Sequence, residues 1–175
     1  MKDLKNKVAL VTGASKGIGE AIALTLAAHG AHVVINSRKQ EEIDKVASMI
    51  QSAGGSCLAI AGNAGDVATC AMLVETTAAK FGGLDILVNN AAANPAYGPV
   101  VQTEDWAYDK IMNVNVKAPF ELCKHAYPIM KNRGGGSVIN LSSIAGDTPD
   151  PGLDLFCLQS CPQYAHQGAC QRMGS

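Results

Sequence analysis

Apolar residues along this chain alternate regularly between short continuous runs and helical spacing. "KVALVTG" is a β-rich run that ends at Gly13. "IGEAIALTLAAHG" has helical spacing. It predicts Ile18, Ile22 and Leu26 on one face and Gly30 as the cap that ends the helix. "AHVVINS" predicts a second buried strand, and "QEEIDKVASMIQSAGG" a second helix whose first turn is acidic, as the helix dipole favours. "SCLAIAG" and "VATCAMLVETTAAKFGG" give a third strand and a third helix. "LDILVNNAA" is a fourth strand, apolar without interruption, as strands covered on both faces are. "TEDWAYDKIMNVNVKAPFELCKHAYPIMKNRGGG" reads mostly as one long helix, and "SVINLSS" as a fifth strand. Strands alternating with helices imply right-handed βαβ units and a parallel sheet, so the fold class is α/β.

With 175 residues the chain is long enough for one domain with a proper core. Its 47% hydrophobic and 17% charged residues suit a soluble α/β protein and argue against disorder. Fourteen basic against fifteen acidic residues make no basic field, which argues against nucleic acid as a partner. No apolar run approaches the roughly 20 residues of a membrane span. The N-terminus enters a strand almost at once and lacks a signal-peptide h-region, so the expected location is the cytosol, where thiols stay reduced. Cys57, Cys70 and Cys123 are expected to be buried small residues, and no cysteine or histidine spacing suggests a metal.

Between the first strand and the first helix stands "TGASKGIG", with Gly13, Gly17 and Gly19 in GxxxGxG spacing. Glycines let a backbone turn tightly and approach a phosphate, and the following helix N-terminus offers N–H groups and a positive dipole. Together with "NNAA", "NVNVKAPF" and "GGSVINLSSIAG", in this order and at this spacing, the segment resembles the short-chain dehydrogenase/reductase family, most of all its carbonyl-reductase-like members. The resemblance covers roughly residues 5 to 153. It implies a Rossmann-type doubly wound parallel sheet, incomplete at the C-terminus. For function it implies hydride transfer between a nicotinamide and a carbonyl or alcohol carbon of a small molecule. Intact members of the family usually form dimers or tetramers.

The resemblance also assigns positions. Thr12, Gly13, Ser15, Lys16, Gly17, Ile18 and Gly19 would hold the cofactor at the glycine turn, and Asn90 and Ala91 beside it, with Ala92 replacing the family's glycine. Asn63 stands where an Asp often meets the adenine. The second strand ends in Ser37 and Arg38, where NAD-selective enzymes carry an acid for the ribose 2′-OH. A hydroxyl and a guanidinium would instead bind a 2′-phosphate, and Lys16 adds a second positive charge. NADP is therefore expected over NAD. Among the four residues that carry the family's chemistry, Asn115 matches the Asn and Ser143 the Ser. The family's spacing puts its Tyr and Lys at positions 156 and 160, which hold Phe156 and Ser160. Tyr acts as general acid/base there and needs a nearby cation to work near neutrality.

Residues 155–175 have neither apolar period nor loop pattern, and three of the six cysteines fall there. Read one base downstream, codons compatible with this segment permit "YSASKAALNMLTKALANEWG". That string returns helical spacing and puts a tyrosine and a lysine at the two empty catalytic positions. Met173 is ATG and Gly174 begins with G, so one shifted codon is fixed as TGG, tryptophan. The expected organisation is thus a partial cofactor-binding domain over 1–154 and an out-of-frame tail over 155–175. The chain as written is expected to be inactive. A non-catalytic dinucleotide-binding or subunit-interaction protein is the alternative. With the family's later elements missing, Val138, Ile139 and Leu141 are expected to form an exposed apolar patch.

Overall fold

The structure, a computed structural model, describes residues 3–95 and 100–143. Its strands are β1 (Val8–Thr12), β2 (His32–Ser37), β3 (Ser56–Ala61), β4 (Ile86–Asn89) and β5 (Ser137–Asn140). All pair in parallel, in the spatial order β3-β2-β1-β4-β5. The chain winds outward from β1 in one direction, then returns and winds in the other. The point of return, between β1 and β4, opens a crevice at the carboxyl ends of the strands, where ligands of open α/β sheets bind. This is the doubly wound parallel sheet that the sequence predicts.

The helices are α1 (Gly17–Ala28), α2 (Gln40–Ser52), α3 (Val67–Phe81), α4 (Asp105–Ile111) and α5 (Ala118–Asn132). Successive strand residues point to opposite faces, and both faces are covered. Val11, Val33, Ile35 and Val88 pack with Ile43 and Ile50 of α2. Leu10, Val34 and Leu87 pack with Leu73 of α3 and with Leu122 and Met130 of α5. Leu10 and Leu87 are fully buried, and each such side chain contributes roughly 1.5–3 kcal/mol by leaving water.

Four expectations need correction. In α1 the most buried line is Gly19, Ala23 and Ala27, with Ile22 and Leu26 half-buried against the same cluster and Ile18 turned outward. Ile18 is 65% exposed. At Gly19 the helix lies so close to the glycine turn that a Cβ would strike Asn90 Nδ2 and Gly13 O. The predicted long helix is continuous from Asp105 to Asn132 but widens into a π turn over Met112–Lys117. Of the three cysteines only Cys70 is fully buried; Cys57 and Cys123 are half-buried. Val138 is not exposed: it joins the core formed with α3 and α5, while Ile139 is 44% exposed and Leu141 packs against the opposite cluster.

At the opposite edge of the sheet from the crevice, one buried carboxylate gathers the chain. Asp85 accepts from Arg133 Nη2 at 2.9 Å, Lys7 Nζ at 3.1 Å and the Val8 N–H at 2.9 Å. Burial alone would raise this carboxyl. Hydrogen bonds from Arg133, Val8 and Lys7 outweigh it and hold Asp85 below the usual carboxylate range.

Candidate functional site

The glycine turn is built by contacts from the far side of the crevice. Thr12, the last residue of β1, accepts at Oγ1 from the Asn90 and Ala91 N–H groups, both at 3.1 Å, and donates to Val88 O at 3.3 Å. Asn90 Nδ2 donates to Thr12 O at 2.9 Å and Gly13 O at 3.0 Å. Glycine is required where these segments meet. Gly13 has φ +65°, and a Cβ there would stand 2.8 Å from Ala91 Cα. A Cβ on Gly19 would strike Asn90 Nδ2 and Gly13 O. A Cβ on Gly17, also at positive φ, would meet nothing within 4 Å, so open space lies beside the helix start. Lys16, at the N-cap of α1, makes no side-chain cap. By contrast Asp66 caps α3 by accepting from the Thr69 N–H. The first N–H groups of α1 thus have no side-chain cap, as at α2 and α4, and an uncapped helix start beside a glycine turn suits a phosphate.

From this turn two adjoining cavities run along the sheet edge, both bordered by Asn90, Ala91 and Ala92. The first, of about 290 Å³, lies over the ends of β2 and β3. Gly13, Ser15, Lys16, Ser37, Arg38 and Asn63, all named from the sequence, line it together with Lys110 and Val114. Ser37 Oγ donates to Ser15 Oγ at 3.2 Å, so the two hydroxyls form one polar edge. Asn63 Oδ1 accepts from the Gly65 N–H at 3.2 Å and holds its own loop in shape. Among the described residues no carboxylate lines this cavity, whereas Lys16, Arg38 and Lys110 do. Asn36 and Lys110 are residues that sequence reasoning missed. Buried Asn36 donates from Nδ2 to Ile60 O and Gly62 O and fixes the exit of β3. Lys110 stands one helical turn before Val114, a spacing visible in the sequence once the cavity is known.

The second cavity, of about 190 Å³, lies over β4 and β5 and brings Ile18, Asn115 and Ser143 together. Asn115 sits in the π turn and is 5% exposed. Its Oδ1 accepts from the Ala93 N–H at 2.8 Å and its Nδ2 donates to Ala93 O at 3.0 Å. The amide thus fastens the segment after β4 to the helix. A π turn inserts one residue into the helical ladder and is frequent at functional sites. Ser143, half-buried just beyond β5, faces this cavity. Phe156 and Ser160 lie outside the described residues, as does the whole 155–175 segment. Among the described residues, no group of three or more His, Cys, Asp or Glu could hold a metal. Burial pushes the thiols of Cys57 and Cys70 up to about 12 and about 11, so neither is a thiolate nucleophile near neutrality. No helix among the described residues is long and apolar enough to cross a membrane.

A family model described as short chain dehydrogenase matches residues 7–157. Human dehydrogenase/reductase SDR family member 4 is 46% identical over 153 residues, which is 87% of this chain and 55% of that protein. The chain thus spans about half the length of the curated relatives it matches. A metagenomic short-chain oxidoreductase, solved in complex with NADP, superposes with a TM-score of 0.90 at 34% identity, covering 96% of this chain and 76% of the other. A 7α-hydroxysteroid dehydrogenase, solved with NADH and 7-oxo glycochenodeoxycholic acid, gives a TM-score of 0.87 at 27% identity over 93% of this chain and 63% of the other.

Proposed function

The chain belongs to the short-chain dehydrogenase/reductase family, and from that premise we propose that its sheet edge binds NADP(H) for hydride transfer at a carbonyl or alcohol carbon. One observation carries the NADP reading: among the described residues the cavity over β2 and β3 is lined by Ser37, Arg38, Lys16 and Lys110 and by no carboxylate. A carboxylate at the end of β2 would accept from a ribose 2′-OH and repel a 2′-phosphate; a guanidinium and a hydroxyl do the reverse. The two solved relatives hold NADP and NADH respectively, so membership alone does not choose, and Ser37 with Arg38 at the end of β2 supports NADP.

The residues present fit a dinucleotide. The bare α1 terminus and the open space at Gly17 receive the diphosphate, and Asn63 and Val114 border the adenine end. Ile18 offers an exposed apolar surface at the second cavity, where the nicotinamide end would lie. When bound, the nicotinamide supplies or accepts the hydride. Ser143 donates a hydrogen bond to the substrate oxygen. Asn115 Oδ1 already accepts from Ala93, and its second lone pair can hold a water of the proton path. The substrate class is a small carbonyl or alcohol. A cytosolic location and self-association complete the reading.

In the chain as written, Phe156 has no proton to give and Ser160 has no charge. We propose that residues 155–175 are an out-of-frame reading of a catalytic helix. The family match stops at residue 157, just beyond the proposed change after 154, which supports this. As written, then, the chain binds the dinucleotide without catalysing meaningful carbonyl reduction. The test is an NADPH oxidation assay with a panel of carbonyl compounds on three proteins: as written, Phe156→Tyr with Ser160→Lys, and the frame-corrected gene product. General acid catalysis is worth about 10²–10⁴-fold. Activity is expected in the third protein alone, because the two substitutions do not rebuild the helix that aims both side chains. Comparable rates in the first and third would refute the proposal.

A further inference from the structure

Asn36 and Asn63 both line the first cavity, and the structure uses their amides differently. Asn63 is exposed, and its Oδ1 already accepts from the Gly65 N–H at 3.2 Å. Asn36 is 1% exposed. It lies in β2 immediately before Ser37 and Arg38, in register with Ile60 of β3. Its Nδ2 donates to Ile60 O at 3.0 Å and to Gly62 O at 3.1 Å. Its main-chain O accepts from the Ala14 N–H of the glycine turn at 3.0 Å. The residue is thus held from the turn, from β2 and from the loop that carries Asn63. Nδ2 has two N–H donors, and the two carbonyls take both. Two carbonyl oxygens demand a nitrogen opposite them, which fixes the orientation of the amide. Oδ1 is its other end, and no described residue donates to it.

A buried acceptor without a donor is costly, and nearly all such groups in folded proteins are paired. The tether between β2 and β3 accounts for the two donors of Asn36. It does not account for an oxygen left without a partner beside a cavity. We propose that Asn36 Oδ1 accepts from the exocyclic amino group of the ligand's adenine, so that Asn36 selects adenine dinucleotides over those whose base carries an oxo group there. The inference rests on the reading of this cavity as the adenosine end of a dinucleotide site. In that reading Ser37 and Arg38 take the 2′-phosphate and the loop at Asn63 borders the base. The Asn36 amide is bonded to Gly62 of that loop, and the Asn63 oxygen is engaged with Gly65. Adenine presents an amino donor on its outer edge, whereas hypoxanthine presents a carbonyl oxygen. Against an amide oxygen fixed in orientation the first makes a hydrogen bond. The second sets two acceptors face to face.

The probes are NADPH and its deamino analogue, in which hypoxanthine replaces adenine, titrated by calorimetry into the 175-residue chain, Asn36→Ala, Asn36→Ser and Asn63→Ala. The unaltered chain should bind NADPH about tenfold more tightly than the analogue, or better. Both Asn36 variants should bring the two ligands within about twofold of each other. Asn36→Ser keeps one donor for the exit of β3 and carries the test should the Ala variant not fold. Asn63→Ala should keep the preference for adenine. Equal binding of the two ligands by the unaltered chain overturns the proposal, and that comparison needs no variant. A preference that survives in both Asn36 variants also overturns it, because Asn36 would then support the loop without reading the base. Arg38→Asp, titrated with NADPH, NADH and the deamino analogue, separates this proposal from the reading beneath it. It should reverse the preference for the 2′-phosphate and keep the preference for adenine. An NADPH-to-NADH affinity ratio unchanged by Arg38→Asp overturns the reading of the cavity itself.

Discussion

One side-chain amide joins Asn90 to Gly13 across 77 positions of sequence: Asn90 Nδ2 donates to Gly13 O at 3.0 Å and to Thr12 O at 2.9 Å. The glycine turn after β1 is thus held by the segment after β4, and the two strands that border the crevice share one rigid rim. Thr12 Oγ1 completes the clasp by accepting from the Asn90 and Ala91 N–H groups.

Removing that amide should loosen the turn and the ligand site together. Asn90→Ala leaves two part-buried carbonyls without their donor, at a cost of about 1–3 kcal/mol. Thermal unfolding should shift down by several degrees, and NADPH should bind about tenfold more weakly. An unchanged melting temperature would contradict the role given to the clasp.

The glycines of the turn should differ in kind. Gly19→Ala forces a methyl against Asn90 Nδ2 and the Gly13 carbonyl, so dinucleotide binding should be lost. Gly17→Ala meets open space and costs only the strain of a left-handed backbone, roughly 1–2 kcal/mol. Titration of both variants checks this, and equal losses of affinity would show that close packing is not what requires Gly19.

The Asp85 cluster makes a pH prediction. Its carboxyl is held below the usual range when folded, so its contribution to stability is complete above the unfolded carboxyl pKa, near 4, and is lost as pH falls below that through the folded value. Arg133→Met removes the donors at 2.9 and 3.2 Å and leaves Lys7 and the Val8 N–H. A loss of about 2–3 kcal/mol at pH 7 is expected, shrinking toward pH 3. Denaturant melts of both proteins at the two pH values measure it. A difference that grows on acidification would contradict the assignment.

Much of this was legible in the chain because it depends on local order. Five apolar runs alternating with helical spacing give the parallel sheet, and glycines at a strand-to-helix junction give the tight turn that opens α1. What escaped depends on distance. Apolar periodicity favours Ile18 as an inward residue of α1, yet it is Gly19 that faces the glycine turn, where a Cβ would strike Asn90 Nδ2 and Gly13 O, and Ile18 is left exposed. "NVNVK" keeps a helical pattern and gives no sign that the backbone widens there to fasten Asn115 to Ala93. Asp85 and Arg133 are 48 positions apart, and nothing local pairs them. Lys110 reads as a solvated helix lysine until α4 is seen to border the cavity.

Lys110 should act through charge at long range. Its side chain shares the cavity with Arg38 and Lys16, so Lys110→Gln should weaken both NADPH and NADH about two- to fivefold at low salt and flatten the salt dependence of binding. Titrations at two ionic strengths test this. An identical salt slope in the variant would remove Lys110 from the site.

The most direct test of the account is the dinucleotide preference of the chain and of Arg38→Asp, by calorimetric titration with NADPH and NADH. The unaltered chain should bind NADPH the more tightly, since each charge-assisted contact to the 2′-phosphate contributes on the order of 1 kcal/mol or more. Arg38→Asp replaces that contact with a repulsion and provides an acceptor for the ribose hydroxyl, so NADH should then bind the more tightly. Equal affinity for the two dinucleotides, before and after the substitution, would contradict the assignment of this cavity.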